Sequence, residues 1–168
     1  MIVVADAGPI IYLSAVGRLD LLPALYGRVI VPRLVFNEVV IAGDQLPGSA
    51  ELAGASWVDV VEPDPADAVF LALREELDPG ESAALSHAVR RGADLVLVDD
   101  RKARIAAKRL GVTSRSTLGI LIEAKRKAVL DRIAPVLDEL VKAGIWLSPS
   151  LIRVALEQAG EAAPATGG

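Results

Sequence analysis

The sequence predicts an α/β fold, a three-layer α/β/α sandwich built on a mainly parallel central sheet. Short runs such as "IVVAD", "RVIV" and "DLVLV" are apolar at nearly every position, as strands buried on both faces must be. Segments with helical periodicity and helix punctuation separate those runs, which is the alternation that yields parallel strands joined by crossovers. The chain is 52% hydrophobic but only 4% aromatic, so its core is made of Ala, Val, Leu and Ile, the residues of helices packed on such a sheet.

Taken in order, residues 2 to 6 form a buried strand, and short helices over 9 to 16 and 19 to 25 end at Gly17 and Gly27. "RVIV", 28 to 31, is a second strand; Pro32 then stands as the first residue of a helix running to Gly43, and a loop rich in Gly, Pro and Ser occupies 43 to 50. "SWVDVVEP" is a third strand, followed by a helix from about 65 to 77. "DPGESAALSHAVRRG" has Asp78 as cap, Pro79 first inside, Glu81 at capping-box spacing and Gly92 past the end. "DLVLV" is a strand, and the helix over 101 to 110 stops at Gly111. "VTSRS" is a short edge strand, Thr117 caps a helix to about 128, and two more helices cover 131 to 143 and 149 to 159. Residues 1 to 160 therefore read as one domain, with 161 to 168 a disordered tail.

With no cysteine, disulfides, thiolate nucleophiles and zinc-thiolate sites are excluded together, which fits a reducing cytoplasmic setting. No basic segment precedes the first apolar run and no apolar stretch approaches the roughly 18 residues of a membrane span, so a soluble, unprocessed protein with no membrane association is expected. The net charge is -4, but it is unevenly placed. Residues 101 to 132 carry ten basic side chains against two acids, a segment of +8, which leaves -12 for the remainder. That asymmetry suits an anion-binding surface beside a carboxylate cluster, or two solvated helix faces.

Four carboxylates occupy unexpected places. Asp6 closes the first strand just before Gly8 and Pro9, where it either caps the next helix or faces the open edge of the sheet. On the 32 to 42 helix the polar stripe is Arg33, Asn37 and Asp44, whereas Glu38 lies between Leu34 and Ala42, near Val35 and Ile41. A carboxylate on a core-facing side needs a partner. Glu81 likewise sits amid Ala84, Leu85, Ala88 and Val89, with Ser86, His87 and Arg90 opposite; it either folds back onto the Asp78 amide or serves a site, and its two oxygens allow both. Asp99 and Asp100 follow "DLVLV" directly, one of them capping the next helix and the other free to approach Asp6 at the carboxyl edge of the sheet.

Carboxylates gathered this closely repel one another, and a divalent cation resolves the conflict. All-oxygen ligands favour Mg2+ or Mn2+, and with no cysteine and a single histidine, His87, zinc is a poor candidate. On the 101 to 110 helix Arg101, Lys102, Arg104, Lys108 and Arg109 lie opposite Ala103, Ala106, Ala107 and Leu110, placing a basic face beside the acids to hold a phosphate backbone. The sequence has no G-x-S-x-G elbow and no phosphate-binding glycine loop, which argues against a serine hydrolase or a P-loop enzyme. Trp57 and Trp146 read as core or interface residues rather than as base-stacking platforms.

The blocks "VVADAGPIIYLSAVGRLDLLPALYGRVIVPRLVFNEV", "LDPGESAALSHAVRRGADLVLVDDRKARIAAKRLGV" and "STLGILIEAK" together resemble a PIN domain, more narrowly a prokaryotic PIN-like branch related to VapC-type toxins, over roughly residues 1 to 160. The resemblance implies a PIN-like fold and a metal-dependent endoribonuclease using Mg2+ or Mn2+, with RNA as substrate and 5'-phosphate and 3'-hydroxyl ends as products. It implies an acid set of Asp6, Glu38, Glu81 and either Asp99 or Asp100, so the expected catalytic residues are Asp6, Glu38, Glu81 and Asp99 and the expected metal contacts Asp6, Asp99, Asp100 and Glu81; the basic helix face supplies the expected nucleic-acid contacts, Arg101, Lys102, Arg104 and Lys108. Glu81 departs from the commoner toxin pattern, in which an aspartate lies later in that helix. A homodimer and a cognate antitoxin are the implied partners; the alternative is a weak or inactive PIN-fold module that binds RNA or protein.

Overall fold

The computed structural model describes residues 1–41 and 46–161. Among these residues the chain runs β1 (Val3–Ala5), α1 (Ala7–Ala15), α2 (Leu21–Tyr26), β2 (Val29–Pro32), α3 (Arg33–Val40), α4 (Ser49–Ala53), β3 (Val58–Val61) and α5 (Ala68–Leu73). It continues through α6 (Pro79–Arg91), β4 (Leu95–Leu97), α7 (Arg101–Arg109), β5 (Ser114–Arg115), α8 (Thr117–Arg126), α9 (Ala134–Lys142) and α10 (Pro149–Gln158). Ala42, Gly43 and Asp44, expected at the end of the third helix, and the tail beyond 161 lie outside the described residues.

All five strands are parallel, in the order β3-β2-β1-β4-β5. Side chains alternate across the sheet, so Val3 and Ala5 enter one core with Val29, Val31, Leu95 and Leu97, while Val4, Val96 and Val98 enter the other. The first core is closed by side chains of α1–α4 and α8–α10, including Ile10, Leu22, Val35, Ile120 and Leu137. The second is closed by α5–α7, with Leu73, Leu85, Ala103 and Ala107. Helices thus cover both faces, which is the three-layer arrangement the alternating pattern anticipates. β1 lies at the centre, with its successor β2 on one side and β4 on the other, so the crevice between the carboxyl ends of β1 and β4 is a topological switch point.

Several local expectations need correction. Pro32 ends β2 with ψ near 145°, and the helix starts one residue later at Arg33. The expected 43 to 50 loop gives way at Ser49 to the short α4, whose Leu52 is fully buried in the first core. Asp67 caps α5 through the Val69 and Phe70 amides, so that helix is shorter than 65 to 77. The cap of α8 is Ser116, which accepts from the Gly119 amide, and Thr117 is already helical. Ser86 and His87, placed opposite the apolar stripe on the polar side of α6, are buried: α5 packs over that side, and Ser86 donates to Asp67. Trp57 packs against the first core, but Trp146 is 83% exposed.

Candidate active site

The backbone of β1 and β4 delivers two acids to the switch point. Ala5 is in register with Leu97, and the Asp6 amide donates to the Leu97 carbonyl at 2.9 Å, so Asp6 emerges beside Val98 and Asp99. A cavity of about 320 Å³ opens there, lined by Asp6, Glu38, Asp78, Glu81, Asp99 and Asp100 together with Gly8, Ile11 and Tyr12. The structure therefore brings all five sequence-selected acids to one place.

Three of its acids occupy the residue just before a helix: Asp6 before α1, Asp78 before α6 and Asp100 before α7. The amides of a helix start favour negative charge, whether of a side chain or a bound phosphate. Asp78 accepts the Glu81 amide at 2.8 Å, while Glu81 accepts the Asp78 amide at 3.2 Å, so the capping box is complete and uses one Glu81 oxygen. Asp100 accepts the Ala103 amide at 3.0 Å, which identifies it as the cap of the pair. Asp99 reaches across to α8, accepting the Thr117 amide at 2.8 Å and the Thr117 hydroxyl at 2.7 Å. Asp6 is the exception: it stands at a cap position, yet no capping hydrogen bond reaches its side chain.

Glycines allow the acids to approach. A Cβ on Gly80 would lie 2.9 Å from Glu38 Oε2, 3.3 Å from Asp6 Oδ1 and 3.4 Å from Asp78 Oδ1. On Gly8 it would lie 3.3 Å from Asp99 Oδ2. Any side chain at either position intrudes on the carboxylates.

The electrostatics follow from that crowding. Asp6 is 8% exposed, and burial, reinforced by the charges of Asp78, Glu81 and Glu38, pushes its pKa up to about 7 against the adjacent Ala7 amide. Burial first, then Asp78, raises Glu38. Glu81 is raised by burial and by Asp78, Asp100 and Glu38, with the Asp78 amide opposing. Asp99 is raised by burial, while its Thr117 bonds and the Arg104 charge pull it back. Among the described residues, no Lys or Arg forms an ion pair with any of the six acids.

Glu38 differs from its expected setting. Val35 and Val39 carry the buried face of α3, while Glu38 is exposed, with Leu34 and Ile41 beside it along an open groove against Pro79 and Gly80. Of the apolar neighbours that suggested a core face, Leu34 and Ile41 line a groove, while Val35 is in the core. Asp78 is the site member that sequence reasoning missed; it was read only as a cap, although a residue capping the helix that carries Glu81 must lie beside it.

Among the described residues, no group of three or more His, Asp or Glu side chains is close enough to hold a metal ion as it stands. Glu81 and Asp100 each accept a helix-start amide with one oxygen, and Asp99 accepts the Thr117 amide and hydroxyl with its two. The donor set nevertheless fits a hard divalent cation: it is all oxygen, and Asp6 is buried without a cationic partner.

α7 leaves the cavity directly after Asp100. Ala103, Ala106 and Ala107 are buried, Arg101, Lys102 and Lys108 are exposed, and Arg104 bends back to donate to the Asp99 carbonyl. Arg109 is engaged by Glu76, which takes it out of the basic face. His87, on the buried far side of α6, takes no part in the cavity.

No helix among the described residues is long and apolar enough to cross a membrane. A solved structure similar to this one is a PilT N-terminus domain protein from the hyperthermophilic archaeon Sulfolobus solfataricus P2, with a TM-score of 0.54 and 18% identity over 74% of this chain and 93% of that one. At that identity the likeness concerns the fold. A search among curated proteins finds no match. The family model described as a PIN domain matches residues 2–161, nearly the whole chain with every acid of the cavity, and the protein therefore belongs to the PIN domain family.

Proposed function

We propose that the chain is a metal-dependent endoribonuclease that hydrolyses RNA phosphodiester bonds in the carboxylate cavity at the ends of β1 and β4. The observation that carries this reading is the burial of Asp6, without a cationic partner, among five other acids at the switch point of a PIN fold. Asp6, Glu81, Asp99 and Asp100 are the residues to hold Mg2+ or Mn2+, Glu81 and Asp100 through the oxygen not committed to a helix start and Asp99 through a lone pair left beside its two Thr117 bonds. When bound, such an ion offsets the charge developing on a phosphate and makes water a better nucleophile at neutral pH. Glu38, exposed at the rim with a raised pKa, is placed to take the proton of the attacking water. The α7 amides and the Arg101, Lys102, Arg104 and Lys108 side chains hold the strand through its phosphates. In-line attack would leave a 5'-phosphate and a 3'-hydroxyl.

Calorimetric titration with Mn2+ tests the metal half of the proposal without RNA. Saturable binding to the wild type, lost in Asp6→Asn and weakened in Glu81→Gln, is the expected result; equal binding by Asp6→Asn sinks it. If the activity serves the toxin of a toxin-antitoxin pair, expression arrests growth and Asp6→Asn relieves the arrest.

A further inference from the structure

A second cavity, of about 390 Å³, adjoins the acidic one and shares Asp99 and Tyr12 with it. Arg104, Ser116 and Thr117 form its polar side, next to Asp99. Leu140, Ile145, Leu147 and Leu151, from α9, α10 and the segment between them, form its apolar side, and Trp146 stands at its lip, 83% exposed. An indole this exposed contributes little to the core, and the nuclease reading above gives it no part.

We propose that this cavity is a nucleobase subsite, in which one unpaired base of the RNA stacks against Trp146 and Tyr12 beside the cleavage position. The inference rests on the nuclease reading, since it takes the acidic cavity as the place of the scissile phosphate. Three features select a base as occupant. The cavity volume falls in the range of about 300–1,000 Å³ usual for small-molecule sites, which suits a single heterocycle. Its polar and apolar sides are segregated as in a nucleotide: Arg104 supplies positive charge where a phosphate would lie, and aromatic rings supply a stacking surface where a base would lie. The shared Asp99 and Tyr12 make the two cavities neighbours, so a strand with its phosphate at one has its adjoining nucleotide within reach of the other. Ser116 adds a means of discrimination, because its oxygen accepts from the Gly119 amide at 3.3 Å and its own proton remains available to a base edge. A base in a duplex must first be unpaired and unstacked, at a cost in free energy, before it can stack on a side chain, so the favoured substrate class is single-stranded RNA or an unpaired loop.

The test is binding of a short labelled single-stranded RNA to the full chain in EDTA, followed by anisotropy, so that cleavage plays no part. Trp146→Ala is expected to weaken binding about tenfold, since stacking on an aromatic side chain is worth roughly 1–3 kcal/mol per base. Trp146→Phe should restore most of the affinity. An abasic strand of the same length should bind wild type and Trp146→Ala alike, and a fully paired duplex should also be insensitive to the substitution. Equal affinity of Trp146→Ala and wild type for the base-bearing strand overturns the proposal, as does an equal loss on the abasic strand. Loss of a dimer in Trp146→Ala with RNA affinity intact overturns it in favour of an interface with a second copy. Failure of the two readings is separable. A Trp146-dependent, base-dependent affinity in a protein that cuts no RNA leaves the subsite and removes the nuclease. Asp6-dependent cleavage with unchanged kcat/KM and affinity in Trp146→Ala does the reverse.

Discussion

Asp99 holds the start of α8 through Thr117, accepting both its amide and its hydroxyl, at 2.8 Å and 2.7 Å. The contact ties the end of β4 to a helix 18 residues further along the chain, just past β5, and it favours the ionised form of an acid whose pKa burial raises. Thr117→Val removes the hydroxyl and keeps the shape. The Asp99 pKa should then rise further, moving the acid limb of the kcat/KM profile to higher pH and leaving the alkaline limb in place. The lost hydrogen bond should cost about 1 kcal/mol in a denaturant melt.

Asp6 should destabilise the metal-free protein at neutral pH and above. Its folded pKa, about 7, lies above the ordinary 3.8, so the folded state binds the proton more tightly than the unfolded chain does. Below about pH 4 the proton is on in both states. Between about 4 and 7 the unfolded chain releases it first, stability falls as pH rises, and above about 7 the full loss has accrued. The shift from 3.8 to about 7 makes the loss on the order of 4 kcal/mol, so Asp6→Asn should raise the Tm of the metal-free protein at pH 8 while showing little gain at pH 4. Thermal melts at the two pH values in EDTA check this; an equal change at both contradicts it.

Gly80→Ala should separate activity from stability. The new methyl would sit 2.9 Å from Glu38 Oε2, and Glu38 is an exposed, flexible side chain that can swing aside. The helix gains an Ala worth up to about 1 kcal/mol, so the Tm should hold or rise slightly. Cleavage should fall by up to about a hundredfold, as misplacement of a reacting group by an ångström commonly does.

Charge reversal at Arg101 and Lys102 should weaken RNA binding to a similar extent for all sequences and flatten its salt dependence, because the proposed role of these exposed cations at the start of α7 is to hold phosphates rather than bases. Titrations at several salt concentrations measure the slope. Reversal at Arg109 should do much less, since that guanidinium is already engaged by Glu76.

The sheet and the strand-end acids were legible because both rest on local pattern. Uninterrupted apolar runs end in Asp6 and in Asp99-Asp100, and parallel strands put those ends on one edge. Assignment between Asp99 and Asp100 was not legible: it depends on α8, a distant segment, whose Thr117 takes Asp99 and leaves Asp100 as the cap. Glu38 lines the cavity, but the argument that singled it out was mistaken, because a helical wheel does not distinguish a core face from the apolar rim of a groove. Ser86 and His87 show the converse, polar side chains buried because α5 folds over them and Asp67 accepts the Ser86 hydroxyl. Asp78 escaped notice because a cap explained it fully, and Trp146, read as a core or interface residue rather than a base-stacking platform, is 83% exposed, a tertiary property that local pattern does not carry.

The central claim, that these carboxylates drive divalent-metal cleavage of RNA, is tested most directly by incubating a single-stranded RNA with the purified wild type and with Asp6→Asn prepared alongside it, each with Mg2+ or Mn2+ and with EDTA. The account predicts internal cleavage by the wild type with metal only, giving 5'-phosphate and 3'-hydroxyl ends, and none by Asp6→Asn even though that variant is the more stable at pH 8. Cleavage that persists undiminished in Asp6→Asn or in EDTA, or no cleavage by the wild type with either metal, would contradict it.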